Sequence, residues 1–325
     1  MQKQLWAIGA ILFSTALYIA GNGLIGVLIP VRASLAGFSD LILGFIGSFY
    51  FAGFMAGCWL GPRLLARVGH SRTFAVSAGV SATAILVQSL VVSEPVWIVA
   101  RGLFGVAAAC IYMVIESWLN DRATNDNRGR IFSSYLAVNF TALVVGQMLF
   151  ATSSPKSFAL FSLAAILYAL CLIPMGLTSL PQPVATKVPT LRPGKLFRIA
   201  PVGVAGCIAV GFANSAVWTL APVFAQAHGL NKGWIAVFMS VFTLGGALVQ
   251  LPLGRLSDRM DRRIIILAVS IAASALGLSM ALFAGYDRSL ILVLIGLFGV
   301  AAACIYMVIE SWLNDRATND NRGRI

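Results

Sequence analysis

The chain has 325 residues, of which 59% are hydrophobic and 10% charged, and its mean hydropathy is +0.89. Soluble domains carry about 25% charged residues, so this composition excludes an ordinary soluble domain and predicts a polytopic membrane protein. The net charge of +12 would suggest nucleic acid as the ligand of a soluble chain, but the sequence has no basic block or base-stacking motif, so we expect the lipid bilayer as partner and no nucleic acid.

Ten stretches are apolar and long enough to cross a bilayer as helices, which takes about 20 residues each. They lie at roughly 5–29, 41–61, 73–92, 95–118, 131–152, 158–178, 199–224, 234–253, 264–284 and 289–312. The first is longer than a signal-peptide core, so we expect an uncleaved first helix. A proline-rich basic linker at 179–198 divides a predicted six-helix bundle at 1–178 from a four-helix bundle at 199–325.

The distribution of cations between the loops sets the predicted orientation. With the amino terminus inside, the inner segments carry 18 Lys and Arg residues and the outer loops carry four. Inner loops of membrane proteins are enriched in cations. We therefore expect both termini to be cytoplasmic.

Residues 102–131, GLFGVAAACIYMVIESWLNDRATNDNRGRI, return unchanged as residues 296–325. Their first part is apolar enough to cross a bilayer, and the rest is a polar loop. Weaker landmarks also repeat: a step of 192 residues takes Asn22 to Asn214 and Pro30 to Pro222. This pattern predicts two parallel repeats of one ancestral unit, a common plan among transporters.

Arg101 lies within the fourth predicted span. A charge inside a span costs at least about 2.5 kcal/mol, so such residues usually face a bundle interior or a watery cavity. The alternative is that Arg101 snorkels to the outer headgroups, since it lies only ~9 Å along the helix from Pro95. We favour the cavity, and Arg101 then indicates a substrate with an anionic or polar group.

Uncharged polar side chains in apolar spans are the other cavity candidates. Hydrogen bonding between helices explains many such residues without any role in transport. Asn22 and Asn214 occupy corresponding places in the two repeats, each eight residues before a proline that could kink or interrupt its helix. The predicted substrate cavity therefore comprises Arg101, Asn22, Asn139, Gln147, Asn214 and, as a stacking surface or a packing residue, Trp218.

The loop after the eighth span reads Gly254-Arg-Leu-Ser-Asp258-Arg259-Met-Asp-Arg-Arg. It resembles the G-x-x-x-D-R-x-G-R-R/K signature of the major facilitator superfamily, although positive-inside loops in general are rich in arginine. The loop after the second span keeps Arg67 and Gly69 but has Ala66 in place of the acid. The Arg-x-x-x-Gly pattern at Arg101 also resembles a helix signature of this family.

Acids near the inner ends of two helices complete the resemblance. Glu116 and its copy Glu310 lie near the cytoplasmic ends of their spans, and Glu116 is ~22 Å along the helix from Arg101. The family implies a latch in which Glu116 pairs with Arg67 and Glu310 with Arg259. Proton binding by these acids is the alternative, but neighbouring arginines favour the ionised carboxylate. We predict a cytoplasmic gate comprising Arg67, Gly69, Glu116, Gly254, Asp258, Arg259 and Glu310.

The segment from Arg101 to Leu136, with Val114-Ile-Glu-Ser117 and Asn127-Arg-Gly-Arg130, looks like the corresponding part of the YcaD-like facilitators, bacterial inner-membrane proteins. This resemblance implies a twelve-helix carrier of a small molecule that works by alternating access, passively or with a coupled proton or other ion. Ten of the twelve expected helices are found, so a transport-inactive truncated protein or a sensor-like protein is the alternative, and such a chain is expected to fold poorly.

Other classes of chemistry have no support in the sequence. No pairing of nucleophile and base, phosphate loop or metal-ligand cluster is found, and the five cysteines lie at wide spacing in apolar stretches. We expect neither an enzyme nor a cofactor or metal site.

Overall fold

The structure, a computed structural model, describes residues 2–124, 127–177, 201–257, 262–283 and 288–316. Throughout these ranges the chain is helical apart from short connections. The helices are α1 (Gln2–Leu35), α2 (Asp40–Val68), α3 (His70–Leu90), α4 (Glu94–Arg122), α5 (Arg128–Leu149), α6 (Ala159–Leu170), α7 (Leu172–Gly176), α8 (Pro201–Ala227), α9 (Lys232–Ser257), α10 (Arg262–Phe283) and α11 (Arg288–Arg316).

Eight stretches of described helix are long and apolar enough to cross a membrane: Ile8–Leu35, Asp40–Val68, His70–Leu90, Glu94–Arg122, Arg128–Thr152, Ala159–Gly176, Lys232–Val249 and Arg263–Phe283. A shorter apolar helix, Ser289–Ile305, lies in α11. The seventh predicted span coincides with α8, which has 27 residues. The prediction of an all-α membrane fold is thus confirmed, while the linker at 179–198 lies outside the described residues and the domain boundaries stay a prediction.

The connections between spans are short because single residues end and cap the helices. Ser39 caps α2 by accepting a hydrogen bond from the Ile42 amide at 3.4 Å. Gly69 alone separates α2 from α3, with φ +83°, a backbone conformation that favours glycine. Its N–H also donates to the Leu65 carbonyl and so closes the last turn of α2.

The two prolines predicted to kink or interrupt their helices do not interrupt them. Pro30 lies inside α1 and Pro222 inside α8, and both helices continue for several residues beyond the proline. A proline removes one backbone N–H donor, a loss that membrane helices tolerate where neighbouring groups satisfy the freed carbonyl.

The chain divides into two compact units, of which the first comprises Met1–Thr186 and Trp218–Ala236. In this unit α1 packs against α5 and α6, α2 lies along α4, and α3 packs against α4 and α6. The largest fully buried side chains include Trp97, Trp118, Tyr18, Tyr168 and Phe74. Aromatic residues of α1, α3, α4 and α6 therefore fill the centre of the unit.

The second unit comprises Lys187–Val217 and Val237–Ile325. Here α10 packs against α11, and Ile265 and Cys304 form a small apolar core. Only 6% of the most apolar window of α10 is buried within the protein, whereas the value for α1 is 67%. Most of α10 is thus available to lipid.

Candidate functional site

A cavity of about 280 Å³ lies within the first unit. Its walls are formed by residues of α1, α2, α4 and α5 together with two residues of α8 that belong to the same unit. The lining comprises Asn22, Ile25, Gly26, Ile29, Pro30, Ile46, Gly47, Tyr50, Phe51, Arg101, Phe104, Tyr112, Leu143, Trp218 and Thr219. Three of the predicted cavity residues, Asn22, Arg101 and Trp218, are among them.

The spacing of these residues along each helix explains why they face one space. On α1 the lining residues run from Asn22 to Pro30 at intervals of three, one, three and one, which is one face of a helix. On α4, Arg101 is followed by Phe104 one turn later and by Tyr112 three turns later, again on one face. A single stripe of each helix therefore supplies both the apolar and the polar part of the lining.

The guanidinium of Arg101 has aromatic neighbours and no hydrogen-bonding partner in the described part of the chain. Its Cζ lies 4.8 Å from the ring centroid of Tyr50 and 5.5 Å from that of Phe104, within the range of cation–π attraction. Its Nε and Nη1 are buried without a hydrogen bond. Buried cations are normally paired, so this guanidinium is a strong donor without an acceptor. The cavity interpretation of Arg101 is favoured over snorkelling.

Glycines bring α2 close enough to α4 to place Tyr50 beside Arg101. A Cβ on Gly105 would overlap the carbonyl oxygen of Tyr50, and a Cβ on Gly53 would overlap that of Gly102. Gly57 meets the backbone of Val106 in the same way. The Gly53-x-x-x-Gly57 pair thus packs α2 closely against α4, and Gly105 of the Arg-x-x-x-Gly pattern is part of the same close contact.

Two tyrosines hold Asn22 in one orientation. The Tyr168 hydroxyl donates to Asn22 Oδ1 at 3.0 Å, and Asn22 Nδ2 donates to the Tyr112 hydroxyl at 3.3 Å. A Cβ on Gly21 would overlap the Tyr168 ring, so this glycine lets the tyrosine approach α1. The Asn22 amide therefore has a fixed orientation in the wall of the cavity.

The structure places the remaining predicted cavity residues elsewhere. Gln147 is fully buried on α5, next to Gly146, which packs against the α1 backbone at Ala20. Asn139 Nδ2 donates to the Tyr135 carbonyl of its own helix at 2.9 Å. Asn214 is half-buried on α8 in the second unit. These three residues do not line the cavity of the first unit, and their roles stay predictions.

The predicted gate is only partly within the described structure. Arg67 and Glu116 are exposed near the ends of α2 and α4, and Gly69 is the positive-φ residue between α2 and α3. Next to this region, His70 Nε2 lies 2.8 Å from the Ser117 hydroxyl of α4. Asp258 and Arg259 lie outside the described residues; Gly254 lies in α9 and Glu310 in α11, in parts whose side chains the structure does not describe. The latch stays a prediction.

Several residues of the site were not predicted from the sequence. Tyr50, Phe104, Tyr112 and Thr219 line the cavity, and Tyr168 orients Asn22. One signal was available: six of the seven tyrosines lie inside predicted spans, although tyrosine in membrane helices is enriched at the interfaces. Among the described residues no cluster of three or more His, Cys, Asp or Glu side chains could hold a metal ion.

Comparison with known sequences identifies the family. The profile of the Major Facilitator Superfamily matches residues 11–325. An uncharacterized MFS-type transporter of Yersinia pestis strain Pestoides F is 24% identical over 314 residues, covering 96% of this chain and 80% of that protein. The uncharacterized MFS-type transporter YcaD of Escherichia fergusonii is 27% identical over 280 residues, covering 86% of this chain and 72% of that protein.

Solved structures show the same fold. A mutant form of the nucleoside transporter NupG matches with a TM-score of 0.84 at 13% identity, covering 98% of this chain and 86% of that chain. A D-xylose-proton symporter matches with a TM-score of 0.72 at 16% identity, covering 99% of this chain and 84% of that chain. The matching profile, the relatives and the helical fold together show that this multi-pass inner-membrane protein belongs to the Major Facilitator Superfamily of membrane transporters.

Proposed function

We propose that this protein carries a small solute with an anionic or polar group across the inner membrane by alternating access. In this proposal the cavity of the first unit forms part of the substrate site. The observation that carries the proposal is Arg101, a half-buried cation whose Nε and Nη1 have no hydrogen-bond acceptor although its side chain lines a cavity.

The energetics of a half-buried cation without a hydrogen-bond acceptor support a ligand role. Burying a charge costs several kcal/mol unless it is paired or hydrated, and removal of such a charge often stabilises a protein. A cation kept in this position therefore points to a partner that arrives from outside the chain. The aromatic faces of Tyr50 and Phe104 offset part of the cost while the cavity is empty.

The inner gate and the orientation belong to the same proposal. We infer that Glu116 and Arg67 close the cytoplasmic side when the cavity faces outwards, with Glu310 and Arg259 as the equivalent pair of the second repeat, and that both termini are cytoplasmic. Reversing the charges in Glu116→Arg with Arg67→Glu is expected to restore transport lost in either single variant. A double variant as inactive as the single variants would contradict the latch.

Transport in proteoliposomes tests the carrier proposal. Purified protein is reconstituted and assayed for uptake of a panel of small carboxylates, sugars and nucleosides, each with and without an imposed pH gradient, which determines whether protons are coupled. We expect saturable uptake that falls in Arg101→Ala and is unchanged in Lys156→Ala, an exposed loop cation. Equal uptake by the native and Arg101→Ala proteins would remove Arg101 from the substrate path.

A further inference from the structure

We infer that the substrate is an amphipathic monocarboxylate: one carboxylate binds to Arg101 and an apolar or aromatic body fills the rest of the cavity. This inference rests on the proposed carrier function and names its substrate class. It follows from three properties of the cavity, namely its charge, the geometry around its cation and the chemistry of its walls.

The charge of the cavity matches a monoanion. Of the fifteen lining residues that the structure describes, Arg101 is the charged one. One guanidinium compensates one negative charge, and a second negative charge would be desolvated without a partner. A phosphate monoester, which carries about −1.5 to −2 charges at pH 7, is matched less well than a carboxylate.

The surroundings of Arg101 favour a planar acceptor. The rings of Tyr50 and Phe104 lie near the guanidinium, with the Tyr50 centroid 4.8 Å from Cζ. The guanidinium carries its five N–H donors in one plane. A carboxylate has two oxygens in one plane and accepts two parallel hydrogen bonds from two such donors.

The remaining walls favour an apolar body. Ile25, Ile29, Ile46, Phe51 and Leu143 supply aliphatic and aromatic surface. Among the polar wall residues, Asn22 and Tyr112 already bond to each other and Asn22 also to Tyr168. A sugar would bring several hydroxyl groups into this space and lose their hydrogen bonds to water, which disfavours it.

The volume of the cavity also limits the size of the substrate. Its volume of about 280 Å³ is at the lower end of the range for ligand pockets. A single ring or a short branched chain next to the carboxylate is therefore the expected scale of the substrate. Trp218 lines the same cavity and offers an aromatic surface for such a ring.

Binding to the purified full chain in lipid nanodiscs tests the inference. The probes are benzoate, its neutral isostere benzamide, the dianion phthalate, D-xylose and uridine. The melting temperature of the protein is measured at increasing concentrations of each. We expect benzoate to raise the melting temperature in a saturable way. We expect benzamide and phthalate to need at least about tenfold higher concentrations for the same shift. Benzamide has no negative charge to pair with Arg101, and phthalate has a second one that stays unpaired.

Two variants show whether the effect belongs to the site. In Arg101→Gln the shift caused by benzoate is expected to disappear, while the ligand-free protein melts at the same or a higher temperature because a partly desolvated charge without a hydrogen-bond acceptor is gone. Lys156→Gln, the matched control on an exposed loop, is expected to keep the native response. A variant that melts lower than the native protein without ligand would show that Arg101 is a structural residue and would overturn the inference.

The outcomes separate the substrate class from the carrier function. No benzoate effect, or an equal effect of benzamide, overturns the monocarboxylate inference. If xylose or uridine then crosses proteoliposome membranes by an Arg101-dependent route, the carrier proposal stands without it. If none of the probes crosses, the carrier proposal fails together with the inference.

Discussion

The segment at 102–131 and its copy at 296–325 have one sequence and two surroundings. In both, the same face packs inward: Cys110 and Cys304 are 2% and 4% exposed, while Leu103 and Leu297 are 54% and 48% exposed. The first copy lines a cavity that contains the cation of Arg101, whereas the second contributes Cys304 to an apolar core. An identical sequence therefore fixes which face is buried but not the chemistry that it meets.

Both copies use the same glycines to approach a neighbouring helix. Gly105 meets the backbone of Tyr50 on α2, and Gly299 meets that of Phe242 on α9. On the opposite side of each contact, Gly53 meets Gly102 and Gly245 meets Gly296. The same close contact between helices therefore forms in both units, from glycines of the repeated sequence and from Gly53 or Gly245 on the partner helix.

The functional difference comes from residues outside the repeated segment. The residue before the first copy is Arg101, which lines the cavity, and the residue before the second is Ile295, which is 1% exposed. Tyr50 on α2 and Tyr168 on α6 then complete the surroundings of Arg101 and Asn22. The first copy supplies packing and part of the cavity lining, and the residues to which we assign the substrate's polar group, Arg101 and Asn22, lie outside it.

The largest expected effect comes from breaking the contact between helices in each half. Gly53→Leu and Gly245→Leu would drive a side chain into the backbone of the partner helix, and each is expected to lose about 3 kcal/mol or more of unfolding free energy. Gly44→Leu on α2 is the control, because nothing lies within 4 Å of a Cβ there. Unfolding in mixed micelles measures all three; equal stability of Gly53→Leu and Gly44→Leu would contradict the tight contact.

A charge placed in the second copy is expected to have the next largest effect. Ile295→Arg would put a cation at a buried site that has an aliphatic side chain in the native protein, at a cost of at least about 2.5 kcal/mol. The melting temperature should fall sharply, with Leu297→Arg on the exposed face of α11 as a comparison for the effect on insertion. Native-like stability of Ile295→Arg would show that position 295 accepts a cation as position 101 does, and would contradict the difference between the two copies.

The reciprocal substitution, Arg101→Ile in the first copy's surroundings, is expected to raise stability instead of lowering it. Arg101→Ile removes a half-buried cation whose Nε and Nη1 have no hydrogen-bond acceptor, and should raise the unfolding free energy by about 1 kcal/mol while abolishing uptake. Stability and proteoliposome uptake are measured on the same preparation. A parallel loss of both would indicate that Arg101 supports the fold, and the contrast between the copies would lose its functional meaning.

The smallest expected effect comes from a residue that acts through Asn22. Tyr168→Phe removes the hydroxyl that donates to Asn22 Oδ1 and should cost about 1 kcal/mol of stability and lower the uptake rate. Tyr50→Phe keeps the ring near Arg101 and serves as the control. If Tyr168→Phe transports as well as the control, the orientation of Asn22 does not matter for the site.

The sequence was sufficient for the helices because the bilayer imposes their length and composition. The apolar runs located all ten helical positions, but α1 continues through Pro30 to Leu35 and the sixth span divides at Cys171 between α6 and α7. Proline and local packing determine where these helices end or break, and a count of apolar residues does not predict such positions.

The polar part of the cavity lining was predictable where a residue is costly in lipid. Arg101 and Asn22 were found because charges and amides inside spans need an explanation. Tyr112 and Tyr50 were missed because a tyrosine packs like an apolar residue until its partner is known, and the partner of Asn22 on α6 is 146 residues away in sequence. Asn139 stays a prediction: it does not line the cavity of the first unit, and its amide donates to the Tyr135 carbonyl of its own helix.

A cysteine placed in the cavity tests the central claim most directly. Gly26 lines the cavity and has nothing within 4 Å of an added Cβ, so Gly26→Cys in a cysteine-free background points a thiol into the proposed path without a clash. The measurement is the rate of its modification by a membrane-impermeant thiol reagent applied to right-side-out and to inside-out vesicles. Alternating access predicts modification from both sides of the membrane. Modification from one side alone, or from neither, would contradict it.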